Sequence, residues 1–443
     1  AGRFPPESVV DLGRNMQRWL LWLAIGLGVG LGAGGVLGAT PSAAVRVWLP
    51  GLATHREAIL RDFRALHPEI RLEIVTLEPA EMRARLLSAL AAGETPDLFL
   101  AEFDWVGWLA EAGACAALDD YLKDLRDLAG IHPLVLRMLV VGGKVLGLPA
   151  TGHPLALYLR SDWLGRLGLK PPSTWEELAQ VAEAFTKKDP DGNGRADTYG
   201  LAERWPAGDP AVAERLLPWL YQAGGTLAAS QDGRWTPAFG LSPGAKALRF
   251  RRRLWEAGLI PPAAPGNDAA RNMALFLNGQ AGMVVEDDSW IPAVRAALGS
   301  RAVTVPLPRD ARMATTGDGF CFVLSARSNV KRAAFAFVSW WLSRETQEKL
   351  ILGWDRKPGG EGVDAGPLII GPRRDLDPSV LLGEPLYAGF VRSFPYLVPR
   401  PYCPNYAALR LVLARAAAAA MGPEKTVEEA LAEAMKEVEG LLN

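Results

Sequence analysis

Val45-Arg46-Val47-Trp48-Leu49 is closed by Pro50-Gly51 and followed by Ile59, Phe63 and Leu66 at helical spacing, a helix that His67-Pro68 ends. A second apolar run, 71–77, and a second helical stretch, 80–92, follow. Gly93-Glu94-Thr95-Pro96-Asp97 then leads into Leu98-Phe99-Leu100. Short strands alternating with helices predict a parallel, doubly wound sheet in an α/β fold. Open sheets of this kind place ligands outside the carboxyl ends of their strands. Here two such ends carry Trp48 to Leu52 and Glu102-Phe103-Asp104-Trp105.

Downstream, Ser173 followed by Glu176 reads as a capping box. Trp175, Leu178, Val181, Ala182 and Phe185 then share one helical face. Lys187 and Lys188 suit the negative end of that helix, and Pro190 stops it. The loop that follows, Asp189-x-Asp191-x-Asn193-x-Arg195-x-Asp197, has the alternating spacing of a calcium loop. It lacks an acidic twelfth residue, since Gly200 stands there, and an Asp/Asn-rich turn bonding its own backbone is the competing reading. Residues 155–160 predict a strand crossing between two lobes. Ser242-Pro243 opens another helix. The apolar run that ends at Val285 delivers Glu286-Asp287-Asp288-Ser289-Trp290, and Gly317-Asp318-Gly319-Phe320 begins a return strand. A helix over 333–342 and an amphipathic helix over 426–442 complete the chain.

Several of these passages resemble the family 1 solute-binding proteins of bacterial ABC importers, the sugar-binding, maltose-binding-protein-like group. The Pro172-x-Thr174-Trp175-x-Glu177-Leu178 helix with its Asp191-Gly192-x-Gly194 loop is similar to that family's signature. So are Ala89-Leu90-Ala91-Ala92-Gly93-x-x-Pro96-Asp97, the Gly143-to-Pro149 passage, Ala223-Gly224-Gly225 and Phe276-x-x-Gly279-x-Ala281-Gly282-Met283. Val145-Leu146 stands where an aromatic is common in the family.

The resemblance implies a two-lobed periplasmic binding protein fold of type II, each lobe a mainly parallel sheet flanked by helices. Residues 45–153 with 306–356 are expected in one lobe and 154–305 with 357–443 in the other, after an N-terminal signal or anchor helix within 1–44. It also implies a monomer that binds a carbohydrate, expected to be an oligosaccharide, between the lobes and delivers it to a membrane permease. A sugar offers hydroxyls and an apolar ring face, so its site needs carboxylates and flat aromatics. The candidates are Trp48, Glu102, Asp104 and Trp105 from one lobe against Glu286, Asp287, Asp288 and Trp290 from the other. Trp205, Gly317, Asp318 and Trp354 are added to them. No cofactor is expected, with structural calcium at Asp189, Asp191, Asn193 and Asp197 as the one metal candidate. A glycerol-phosphate-type solute is the second choice of ligand, disfavoured because a phosphate would want Arg, Lys or a helix N-terminus while the candidates are acidic. Two rival functions fit the same fold. One is a glycoside hydrolase or lyase using the same carboxylates, and the other is a membrane-tethered sensor.

Composition agrees with a large soluble-type core. Hydrophobic residues make up 49% of the 443 positions and charged residues 22%, so two lobes are the natural expectation. A formal net charge of −1 removes the electrostatic case for nucleic acid. Three cysteines, Cys115, Cys321 and Cys403, exclude a fully paired intrachain framework. The continuously apolar or glycine run 19–39, preceded by Arg14 and Arg18 and followed by Ser42-Ala43-Ala44, reads as a secretory signal, with Met16 a sensible start. Retained, the same run is long enough to anchor the chain in a membrane. The expected location is therefore periplasmic or otherwise extracytoplasmic.

Overall fold

The structure is a computed structural model that describes residues 43–50, 56–232, 234–353, 370–403 and 405–442. The apolar run 19–39 and Trp354 lie outside the described residues. Among those described, no helix is long and apolar enough to cross a membrane.

The predicted alternation folds into a five-stranded sheet ordered Ile70–Leu77, Ala43–Pro50, Leu98–Glu102, Phe320–Leu324, Leu148–Pro149. A second, four-stranded sheet is ordered Ala302–Val305, Ala156–Arg160, Ala281–Glu286, Tyr199–Ala202. The central strands of both, Leu98–Glu102 and Phe320–Leu324 in the first and Ala156–Arg160 and Ala281–Glu286 in the second, are buried on two faces, whereas edge strand Ile70–Leu77 alternates buried and exposed residues. In the first sheet Leu98, Leu100, Phe322 and Leu324 enter one core, while Phe99, Ala101, Cys321 and Val323 enter another. In the second, Leu157, Leu159, Met283 and Val285 point into a third core, and Ala156, Tyr158 and Val284 face the same cluster as Phe99 and Val323. One apolar cluster thus serves the inner faces of both sheets.

The sheets are mixed rather than mainly parallel. Ala43–Pro50 runs parallel to both neighbours, as does Ala281–Glu286 to Tyr199–Ala202. Phe320–Leu324 and Ala156–Arg160 are antiparallel to every strand they touch. The cause is where the chain crosses. Phe320 pairs with Glu102 and Ala156 with Glu286, so each crossing strand enters its sheet beside a carboxyl end and must run backwards. Just outside these ends, His153–Pro154 and Gly317–Asp318 pair antiparallel and carry the chain between the sheets. The approach is close: a Cβ on Gly317 would stand 3.0 Å from the His153 carbonyl oxygen and 2.8 Å from Leu397.

The helix that begins at Trp175 forms as its apolar spacing predicts, over Trp175–Lys187, with Trp175, Leu178, Val181, Ala182 and Phe185 all buried. Its cap is shifted by one residue from the expected Ser173–Glu176 box. Thr174 is the N-cap, its hydroxyl accepting from the Glu177 amide at 3.2 Å, and Glu177 accepts from the Ser173 amide and hydroxyl, each at 2.7 Å. Gly200 lets this helix lie on the second sheet, since a Cβ there would meet the Ala182 backbone at 2.3 Å.

The last third of the chain passes between the two sheets several times. Residues 306–316 stay with the second sheet: Leu307 and Ala314 join its core, and the Arg309 carbonyl accepts from the Trp175 amide at 3.0 Å. The return to the first sheet therefore begins at Gly317. Residues 370–374 are held by the first-sheet side, with Ile370, Pro372 and Arg374 bonded to Gly152, His132 and Gly130. Leu386 and Gly389 bond Thr304 of the second sheet, and helices Tyr406–Met421 and Val427–Leu442 pack there with Ala211–Gln222 and Ser242–Glu256. A chain that crosses this often cannot be divided at a single cut.

Candidate functional site

Each sheet delivers its acidic residues at a carboxyl end, and side chains from elsewhere decide their state. Glu102 closes strand Leu98–Glu102, and Asp104 precedes helix Trp105–Glu111. Burial, with the Asp104 and Asp318 charges nearby, pushes the Glu102 carboxyl up to about 7. Asp104 is raised as well, by burial and by Asp318, against the pull of Arg400 and Arg410. Its Oδ2 accepts from Arg410 Nη1 at 3.0 Å.

On the second sheet Glu286 is 1% exposed and bonded to Arg215, whose Nη2 also reaches Asp287 Oδ2 at 3.5 Å. Arg204 Nε stands 3.9 Å from Glu286 while its Nη1 donates to Asp209 at 2.6 Å. Asp287 caps the turn Asp288–Trp290 by accepting from the Ser289 amide, and its carbonyl accepts from the Tyr158 hydroxyl at 2.8 Å. Burial opposes its charge, yet Arg215 and Ser289 hold its carboxyl below the ordinary value. Asp288, 3% exposed, meets His153 Nδ1 at 2.7 Å. Burial alone would discharge that imidazole, but Asp288, Asp287 and Asp318 raise it to about 9.

These two ends are joined. Helix Ala211–Gln222 carries Glu214 beside Arg215, and Glu214 takes Arg410 Nε at 3.2 Å and Arg400 Nη2 at 3.4 Å. Arg400 Nη2 is 3.0 Å from Asp318. The charged site comprises two clusters, Asp209–Arg204–Glu286–Arg215–Asp287 and Asp318–Arg400–Glu214–Arg410–Asp104, which are neighbours because Glu214 and Arg215 are consecutive on one helix. Each of its four arginines is shared between two carboxylates. Glu286 Oε1, Arg215 Nε, Asp104 Oδ1 and both Nε and Nη1 of Arg400 are buried without a hydrogen-bond partner among the described residues.

The aromatic candidates separate. Trp48 and Trp290 are partly exposed beside the cluster shared by the two sheets. Trp105 is 5% exposed and packs on Trp108, and Trp205, 3% exposed, meets Trp255 edge to face in the third core, that of Leu157 and Met283. Those two rings are taken up by packing, because each follows its strand end by only a few residues and turns back onto the sheet. Gly317 and Asp318 lie in the crossing ribbon. In the acidic loop, Asp189 accepts from the amides of Gly192, Asn193 and Gly194, each at 3.0 Å, and Asn193 ties Asp191 to Asp197. Among the described residues no group of three or more His, Cys, Asp or Glu side chains converges as a metal site.

Sequence reasoning misses the cations. Arg204, Arg215, Arg400, Arg410, Glu214 and His153 belong to no motif, although a signal exists for some. Glu214-Arg215 interrupt the mostly apolar helix Ala211–Gln222, and Arg410, with the exposed Arg415, the Ala/Leu-rich helix Tyr406–Met421; charges within such runs are buried only when paired.

The model of the bacterial extracellular solute-binding protein family matches residues 58–369. The chain belongs to that family. As a family member it is a binder of solutes. It is 30% identical over 220 residues to the polygalacturonan/rhamnogalacturonan-binding protein YtcQ of Bacillus subtilis, an alignment covering 48% of this chain and 43% of that protein. It is 24% identical over 360 residues to the maltotriose-binding protein of Pyrococcus abyssi, covering 80% and 71%. The chain thus spans less than half the length of the first curated relatives it matches. The sugar-binding protein MalE of Xanthomonas citri superposes with a TM-score of 0.76 over 90% of this solute-binding protein and 97% of that one, at 20% identity. That likeness establishes the periplasmic binding protein fold.

Proposed function

We propose that this chain is the extracytoplasmic binding component of an ABC importer, holding a carbohydrate between two lobes built on the two sheets. The observation that carries the reading is that helix Ala211–Gln222 brings the acidic ends of both sheets into neighbouring ion-pair clusters through Glu214 and Arg215, with buried donors and acceptors that lack partners among the described residues. Hydroxyls donate and accept at once, so a sugar suits such a mixed set. Relatives named for polygalacturonan and maltotriose binding support a saccharide. The sequence-based objection to a phosphate ester, that the site lacks arginine, does not stand, because four arginines are there. Each is shared between two carboxylates, however, which leaves none of these four unopposed for a phosphate. Solute would stabilise a closed arrangement that a permease recognises, the partner that family membership implies.

A thermal-shift screen against a carbohydrate panel, neutral and uronic, tests the reading. A ligand of the native state raises the melting temperature. Calorimetry on the hit should give stoichiometric binding, with the sugar recovered unchanged. Asp287→Ala and Trp290→Ala should each weaken binding roughly ten- to a hundredfold, the worth of about 1.5–3 kcal/mol for a charged hydrogen bond or a stacked ring. Turnover of the sugar, or silence across the panel, would overturn the proposal.

A further inference from the structure

We propose that Arg410 is a latch that holds the two sheet-based halves together in the absence of solute, through Asp104 on one side and Glu214 on the other. The inference rests on the two-lobed reading above and adds the residues that set its resting balance. Arg410 lies one turn inside helix Tyr406–Met421, which packs with helices of the second-sheet side. Asp104 follows strand Leu98–Glu102 of the first sheet. Their 3.0 Å contact joins the halves across 306 positions of sequence, while Glu214, on a second-sheet helix, holds the same guanidinium at 3.2 Å. Removing Asp104 from that contact costs the first half its charged hold on the helix, while Arg410 remains anchored by Glu214.

The strength of the latch follows from its surroundings. The side chains of Asp104, Arg410 and Glu214 are 20%, 16% and 12% exposed, so the pair is shielded from salt better than a surface bridge, yet water can reach it on opening. Asp104 Oδ1 has no hydrogen-bond partner among the described residues, and hydration in an opened form would satisfy it. One oxygen favours closure and the other favours opening. The pair biases the equilibrium without fixing it, as a binding protein requires if solute is to tip the balance. The Tyr402 hydroxyl, bonded to the Met138 carbonyl, delivers the chain to this helix from the first-sheet side and leaves Arg410 as its first cation.

The test needs no solute. The full chain is prepared as wild type, Arg410→Met, Asp104→Asn, the double variant and Arg410→Lys. Each is measured by small-angle scattering and hydrogen exchange at 102–111 and 406–414. Each charge-removing single variant should enlarge the radius of gyration and speed exchange in those segments roughly tenfold, between the effects of exposed and buried pairs. The double variant should add nothing to either single, and Arg410→Lys should restore most of the compaction. A melting temperature within a few degrees of wild type separates opening from unfolding. Unchanged scattering and exchange would overturn the latch and place the pair on the hinge axis, and additive singles would overturn it as well. Neither result depends on which solute is bound, so failure here leaves the carbohydrate reading intact, and failure of the carbohydrate panel leaves the latch to stand or fall alone.

Discussion

The carboxyl ends of the two sheets present the same residue types in the same topological place, yet their charge states differ. At the first sheet Glu102 has no arginine bridge among the described residues, Asp104 shares Arg410 with the other half, and both carboxyls are raised. At the second sheet Glu286 and Asp287 have Arg204 and Arg215 beside them, and Asp287 is held low. The difference lies in what packs behind each end. Helix Ala211–Gln222 turns Arg215 toward Glu286, whereas helix Trp105–Glu111 offers the first sheet Trp105 and Trp108 and no cation. The state of an acid at a strand end is thus set by a neighbouring helix rather than by the strand.

The comparison breaks most severely if its arginine is removed. Arg215→Met should destabilise the fold by about 3–5 kcal/mol, because Glu286 is left buried with one weak partner. Chemical denaturation should show that loss, and Arg215→Met combined with Glu286→Gln should recover much of it. The first end gives the opposite sign. The folded value of Glu102 lies above its ordinary 4.5, so its contribution is full below that pH and is lost as pH rises through about 7. Glu102→Gln should therefore raise the melting temperature by a few degrees at pH 8 and change it little at pH 4.

His153 sharpens the contrast, since at the second end even the imidazole is recruited as a cation. Raised to about 9 from 6.5, it contributes stability that is full below pH 6.5 and is lost as pH climbs through 9. Melting followed from pH 6 to pH 10 should show that decline in the wild type and a flatter profile in His153→Gln. The smallest effect is expected in the acidic loop, where backbone amides do the work that arginines do at the second sheet. Asp189→Ala should lower the melting temperature only slightly, through loss of an acceptor for loop amides. The loss should be the same with calcium or with chelator, because the partners of Asp189 are the amides of Gly192, Asn193 and Gly194. A loss confined to calcium-loaded protein would return the loop to metal binding.

The sequence by itself determined the alternation of strands and helices, the buried face of helix Trp175–Lys187, and the placing of Glu102, Asp104 and Glu286 to Asp288 at strand ends. Those features are local, written in spacings of two and of three to four residues. The cap of that helix falls one position from where the spacing puts it because Ser173 and Thr174 are both able to cap, and only the backbone turn chooses. The antiparallel entry of the crossing strands, the hold on residues 306–316 and the four arginines were decided by tertiary structure alone. Arg410 meets Asp104 across 306 residues and Arg215 meets Glu286 across 71. No periodicity spans such distances. A net charge of −1 tells how many charges balance and nothing of which ones touch.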